Sequence, residues 1–354
     1  MFLMRVVYRA LLLVALGLAA GICSTSRADH PPGVFNATGA GPINFLAADT
    51  LRRGCWGFGG HTEYVSFDPR PDGQLAALFD QGLGAENVDY LSMTFVSVAY
   101  GLTENLTVVG RLPYVHYDDI RQGEDQGGVT VLEDQGDADG FGDFLLLGVL
   151  KVWESAAKDV QVSAIFGFEA PTGRTDAETL QGERFAFEHQ LGSGSWDPLG
   201  GVAVSLAWDR LSFHANATYL HTTEGRRGTD LGDVVNYNGA IVYRLAHEDR
   251  HPHPWDACPP GGCEHCLHGC CCHRGRALDL IVELNGVWQE EHTIAGALDR
   301  DSGGHLLWFA PGLRYTHHEP WCVYSSCGIP IGQEANGANR EAELRIVLGA
   351  IVNW

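Results

Sequence analysis

The sequence lacks what a helical membrane protein needs. Beyond the extreme N-terminus, no stretch approaches the roughly 18 consecutive apolar residues of a spanning helix. Positive charge is also scarce. Lys and Arg total 23 against 44 Asp and Glu, for a formal charge of −21. That balance argues against a nucleic-acid partner. No G-x-S-x-G elbow is present, so the pair Ser212 and His214 has no hydrolase motif around it, and no enzyme is expected. The most acidic run, 118–141, contains "DQGDADG" but not the distal Glu of a calcium-binding EF-hand loop. It reads as a solvated loop.

The N-terminus begins with Arg5 and Arg9, continues through an apolar run from Ala10 to Ile22, and reaches Ser26-Arg27-Ala28. This is the pattern of a secretory signal over 1–28. Losing its three arginines would leave the rest three units more acidic. Residues 29–53 then form either a disordered leader or a hatch inside a lumen, ahead of a barrel over 54–354.

The barrel expectation rests on alternation. A transmembrane strand of about 9–11 residues is apolar toward lipid and polar toward the lumen. In "LSFHANATY", Leu211, Phe213, Ala215, Ala217 and Tyr219 oppose Ser212, His214, Asn216 and Thr218. In "LDLIVELNGVW", Leu278, Leu280, Val282, Leu284 and Trp288 oppose Asp279, Glu283 and Asn285. The last segment, "EAELRIVLGAIVNW", alternates through to Trp354. An aromatic at the end of an amphipathic strand resembles the signal by which barrel assembly machinery recognises its substrates. About twelve such segments predict an all-β, antiparallel transmembrane barrel. Short turns such as "GLTEN" and "DR" alternate with long pieces at 68–88, 118–141 and 170–197. Short turns face the periplasm in such barrels, and an even strand count puts both termini there. Outer-membrane lipid is then the surrounding partner.

The polar faces nominate a lumen set: Glu63, Arg111, Glu169, His214, Asn216, Asn238, Arg244, Asp279, Glu283, Arg314, Glu343 and Arg345. They would either line a narrow pathway or pair into a closed, stabilising interior.

One connection departs from the pattern. Residues 246–275 sit where a short periplasmic turn belongs, and they contain "CPPGGCEHCLHGCCCHRG". Export makes disulfides available, and six cysteines allow 15 pairings. The same residues, Cys258, Cys263, Cys266, Cys270, Cys271 and Cys272 with His265, His268 and His273, suit zinc or copper. The second C-x-x-C of a zinc ribbon is missing, so both readings stand.

Three segments appear in order: "GFGDFLLLGVLKVW", "FGFEAPTGRTD" and "GSGSWDPLGGVAVS". Together with "VAYGLTENLTVVGRLPYV", they resemble the MetA-pathway of phenol degradation family, from about Ile43 onward. The resemblance implies an outer-membrane barrel linked to uptake of small aromatic or hydrophobic solutes by passive diffusion. The 246–275 insertion has no place in that pattern. It leaves a metal-binding outer-membrane protein, or a closed structural barrel, as the alternatives. Taken alone, the Gly, Pro and Ser of these motifs read as turn formers.

Overall fold

In the computed structural model the described residues are 41–68, 70–81, 86–248, 276–317, 321–335 and 341–353. In chain order the elements are β1 (Trp56–Phe67), α1 (Asp72–Asp80), β2 (Glu86–Asn87), β3 (Tyr90–Thr103), β4 (Leu106–Asp125), β5 (Thr130–Phe141) and β6 (Phe144–Glu154). Then come β7 (Val160–Ala170), β8 (Asp197–Trp208), β9 (Leu211–Leu220), β10 (Thr229–Asp230), β11 (Val234–Glu248) and β12 (Arg276–Gln289). The chain ends with β13 (His292–Ile294), β14 (Ala297–Asp299), β15 (Gly304–Thr316), β16 (Trp321–Ala335) and β17 (Ala342–Asn353).

Twelve of these strands close into one antiparallel barrel. Its circuit runs β1-β3-β4-β6-β7-β8-β9-β11-β12-β15-β16-β17 and returns to β1. At the seam Thr62 of β1 faces Leu348 of β17 on one side and Thr94 of β3 on the other. Closure leaves no unpaired edge, which a hydrocarbon environment demands.

The burial pattern is polar inside and apolar outside. On β9 His214, Asn216 and Thr218 are buried, whereas Phe213 and Tyr219 are exposed. A middle band of exposed residues includes Val96, Phe166, Val202, Ile241 and Ile346. Exposed Trp56, Trp153, Trp208 and Tyr243 cluster toward one end, and Phe141, Trp196, Tyr219 and Trp288 toward the other. That is an apolar belt between two aromatic girdles, as lipid-facing barrels carry. The start of β1 and the end of β17 meet at Gly57 and Asn353, at the end that also carries the turns at 104–105, 155–159 and 209–210.

The wall has one break. The 20-residue β4 pairs with β6 through Leu106–Arg111 and with β5 through Tyr114–Asp125. β5 and β6 therefore continue each other across Gly142-Asp143. The expected acidic loop over 118–141 is in fact this β4–β5 hairpin, built out past the barrel rim. The 68–88 connection contains α1, which alternation could not forecast. The wide 246–275 insertion begins later than its sequence boundary, because β11 runs to Glu248. Residues 249–275, with all nine Cys and His candidates of the insertion, lie outside the described residues, as do 1–40.

Candidate functional site: a leader seated in the lumen

Residues 41–51 run inside the barrel, and Arg52 and Arg53 emerge from it. Positions 41–48 are all buried, and the wall side chains provide their hydrogen bonds. Arg314 of β15 donates to the Gly41 carbonyl at 2.6 Å. Glu283 of β12 accepts from the backbone N–H of Ile43, from that of Asn44 at 3.2 Å and from the Asn44 amide at 2.7 Å. Asn216 of β9 donates to Leu46 O at 3.0 Å. Ser205 of β8 accepts from Ala48 N at 3.1 Å, and Ser163 of β7 donates to Ala48 O at 2.5 Å. Thr107 of β4 accepts from Leu51 N at 2.7 Å. An extended segment has no internal ladder, so each buried backbone group needs such a partner. At the exit, Gly54 N donates to Gly101 O at 2.7 Å. Gly101 has to be glycine there, since a Cβ would come within 1.9 Å of Arg52 O.

The leader's apolar side chains are buried as well. Leu46, Ala48 and Leu51 pack on Ala99, Val109, Leu145, Leu147, Ile165 and Leu199. Ile43 packs with Val242, Ile281, Tyr324 and Val347. A cavity of about 20 Å³ remains beside Asn44, Phe45 and Leu46, lined by Leu147, Asn216 and Asn236. That holds roughly one water molecule. In this conformation the leader fills this part of the lumen.

The lumen set largely converges. Asp279 joins Arg314 (2.8 Å) and Arg244 (2.9 Å). Arg345 lies 3.6 Å from Glu63 and donates to Asn285 at 2.5 Å. Asn238 donates to Asn216 at 2.8 Å. Arg111 stacks over the Phe95 ring at 3.7 Å, and Glu169 is half-buried on β7, two strands round the wall. His214 bridges Ser205 and Ser212, at 2.9 Å each. Among the described residues no carboxylate bonds to it, so the chain Ser212–His214–Ser205 ends on the Ala48 N–H. Glu343 departs from the expectation. β17 slips relative to β1 at Ser66/Phe67, and Glu343 sits at that irregularity, exposed rather than in the lumen. The lumen set left out Thr107, Ser163, Ser205 and Asn285, although their inward parity on the strands was available as a signal, and Asn44, which lies on the leader where no parity exists.

A second constellation lies at the long-loop end, where three sequence motifs meet. Asp143 accepts from Gly173 N at 2.7 Å, Ser193 N at 2.6 Å and the Ser193 hydroxyl at 2.8 Å. Thr172 accepts from Phe144 N at 2.8 Å. Asp197 accepts from Ser195 at 2.9 Å and from Thr223 N at 2.8 Å. Gly173 and Gly192 touch so closely that a Cβ on either would come within 2.7 Å of the other's Cα. This clasp ties connection 171–196 across the β5–β6 break. It brings Ala177, Phe185 and Leu191 onto Met93, Phe95, Val115 and Tyr117. The turn reading of these residues describes their contacts here.

Residues 78–252 match a family model described as "Putative MetA-pathway of phenol degradation". The match spans just under half of the chain. The MetA-pathway match contains the whole clasp, but the leader's anchors Glu283 and Arg314 lie beyond it. The chain is similar to an outer membrane channel from Pseudomonas putida F1, with a TM-score of 0.54 and 15% identity over 87% of this chain and 98% of that one. It is also similar to the toluene transporter TbuX of Ralstonia pickettii, with a TM-score of 0.43 and 8% identity over 86% and 90%. None of the curated proteins matches. The first likeness agrees with the strand circuit: the fold is that of an outer-membrane β-barrel.

Among the described residues one group could hold a metal ion. His116, Asp118 and Asp137 on the β4–β5 hairpin place ligand atoms within 4.8 Å of one another. Cys55 is disulfide-bonded, whereas Cys322 and Cys327 are not in disulfides.

Proposed function

We propose that the protein is an outer-membrane channel for small apolar or aromatic solutes. Solutes move through it passively, and the 41–53 leader closes it. The carrying observation is the make-up of the lumen. The leader is held there by side chains of the wall and packs on two apolar clusters of inward-facing residues, one around Leu145 and Leu147 and one around Val242 and Ile281. Such walls suit a solute that sheds water readily. Polar groups on the remaining strands pair with one another or with the leader, so moving the leader exposes a pathway instead of unfolding the sheet. The match of 78–252 to the MetA-pathway family model supports the same reading. The end carrying both termini and the short turns is assigned to the periplasm. The Ser205–His214–Ser212 chain anchors the leader and is assigned no catalytic role.

The test is solute flux into liposomes carrying the refolded protein, for wild type and for a deletion of 41–51. Phenol-like compounds should enter faster than into empty liposomes, and faster still through the deletion. Equal flux in all three would refute the reading.

A further inference from the structure

Above the leader, toward the long loops, one stretch of the wall carries buried polar atoms without a hydrogen-bond partner among the described residues. Arg111 is only 8% exposed, and its Nη1 has no hydrogen-bond partner. Ser97 is 3% exposed, and its hydroxyl has none either. The two are direct neighbours, since Ser97 and Arg111 face each other across β3 and β4. Facing side chains in such a pair sit about 4.5–5.5 Å apart at Cβ. Glu63 is engaged by Arg345 at 3.6 Å. No carboxylate lies within ion-pair distance of Arg111 among the described residues.

A buried, unpaired hydroxyl is costly and a buried charged group more so, so such atoms call for a reason. We propose that Arg111 and Ser97 form a binding site for the carboxylate of an aromatic acid. A guanidinium presents paired N–H donors that match a carboxylate's two oxygens, and the serine hydroxyl can donate beside it. The surroundings select the rest of the ligand. Arg111 already lies flat on Phe95. Val109 and Ala99 flank the pair on one side, and Val115 and Phe95 on the other. Glu169 and Glu63 act on Arg111 by charge from beyond hydrogen-bond distance, and the apolar flanks favour a flat hydrocarbon body with one anionic head over an inorganic anion, which would surrender more hydration. This inference narrows the solute class of the channel proposed above, and it rests on that reading only for the ligand's route to the site.

The experiment separates the two. Equilibrium binding of sodium benzoate, benzyl alcohol and sodium acetate is measured by titration calorimetry on the refolded protein in detergent. The same solutes are then followed into liposomes. Benzoate should bind more tightly than either benzyl alcohol or acetate. Arg111→Met should weaken benzoate about tenfold or more, Ser97→Ala should weaken it less, and Arg111→Lys should restore part of the loss. Retained heat-modifiable migration on gels would show that each variant is folded, and Ser97→Ala serves as the mild variant should Arg111→Met not fold. No preference for benzoate, or a preference indifferent to Arg111 and Ser97, overturns the site even where neutral solutes cross. Benzoate binding that needs Arg111, without flux of any solute, upholds the site and refutes the channel.

Discussion

Replacing Glu283 by alanine tests whether the leader is the closure. This carboxylate accepts three hydrogen bonds from the leader: two from backbone N–H groups and one from the Asn44 amide. Hydrogen bonds to a charged group contribute about 1.5–3 kcal/mol each. Neighbouring bonds are not additive, so a loss of about 3–6 kcal/mol is the reasonable range for the seated state. Each 1.4 kcal/mol is tenfold in a population ratio, so the ratio of seated to released leader should fall by roughly 10²–10⁴. The wall loses little, because Glu283 sits on a strand paired on both sides by backbone bonds to β11 and β15. Conductance in planar bilayers would read the change. Wild type should open rarely, Glu283→Ala should dwell open, and a deletion of 41–51 should set the ceiling. Glu283→Gln keeps an acceptor oxygen and should fall between. A deletion that conducts no better than wild type would refute the closure itself. A conducting deletion beside a silent Glu283→Ala would refute the anchor.

Arg314→Met should destabilise the barrel by about 3–5 kcal/mol, because it strips a buried partner from Asp279; a thermal melt on gels would show it, and an unchanged melt would count against the pair. Asp143→Ala removes three bonds of the clasp and should speed proteolysis within 171–196 while the barrel melts as before. The hydrogen bond to Asp233, and then its negative charge, hold the His221 ring above the ordinary 6.5. Asp233 is drawn below 3.8 because bonds from Tyr219, His221 and Thr222 together outweigh its burial. The His221 contribution to ordering 221–233 is therefore complete below pH 6.5 and fades as pH rises through the raised value. Carbon-labelled histidine NMR should find that value, and one at or below 6.5 would contradict the geometry. If the cysteine- and histidine-rich insertion binds zinc or copper, deleting 249–275 should abolish metal uptake and leave folding intact; equal metal content in both forms would remove that role.

Strand positions and faces were legible because a lipid-facing wall imposes a period of two over long runs; β9 shows it without interruption, whereas β12 breaks the polar face with Ile281, which packs with Ile43. Helix α1 and the short pairs β10, β13 and β14 belong to the loops, where no such pattern is imposed. The exposed Glu343 shows the limit of parity. One irregularity in register turns a side chain outward, and nothing in "EAELRIV" announces it. The lumen charges were legible as a set but not as pairs. That Asp279 would meet both Arg244 and Arg314 depends on the stagger of neighbouring strands. The clasp could be seen only as three motifs in order. Their meeting at Asp143 depends on a strand break and a long connection folding back.

The leader bonds to side chains on seven of the twelve wall strands, from β16 and β15 round to β4. It is also continuous with β1, one half of the closing seam. A sheet still open along that seam has a concave face studded with groups that match the leader. The segment can therefore act as a former, an inner template on which the wall takes its curvature before its first and last strands meet.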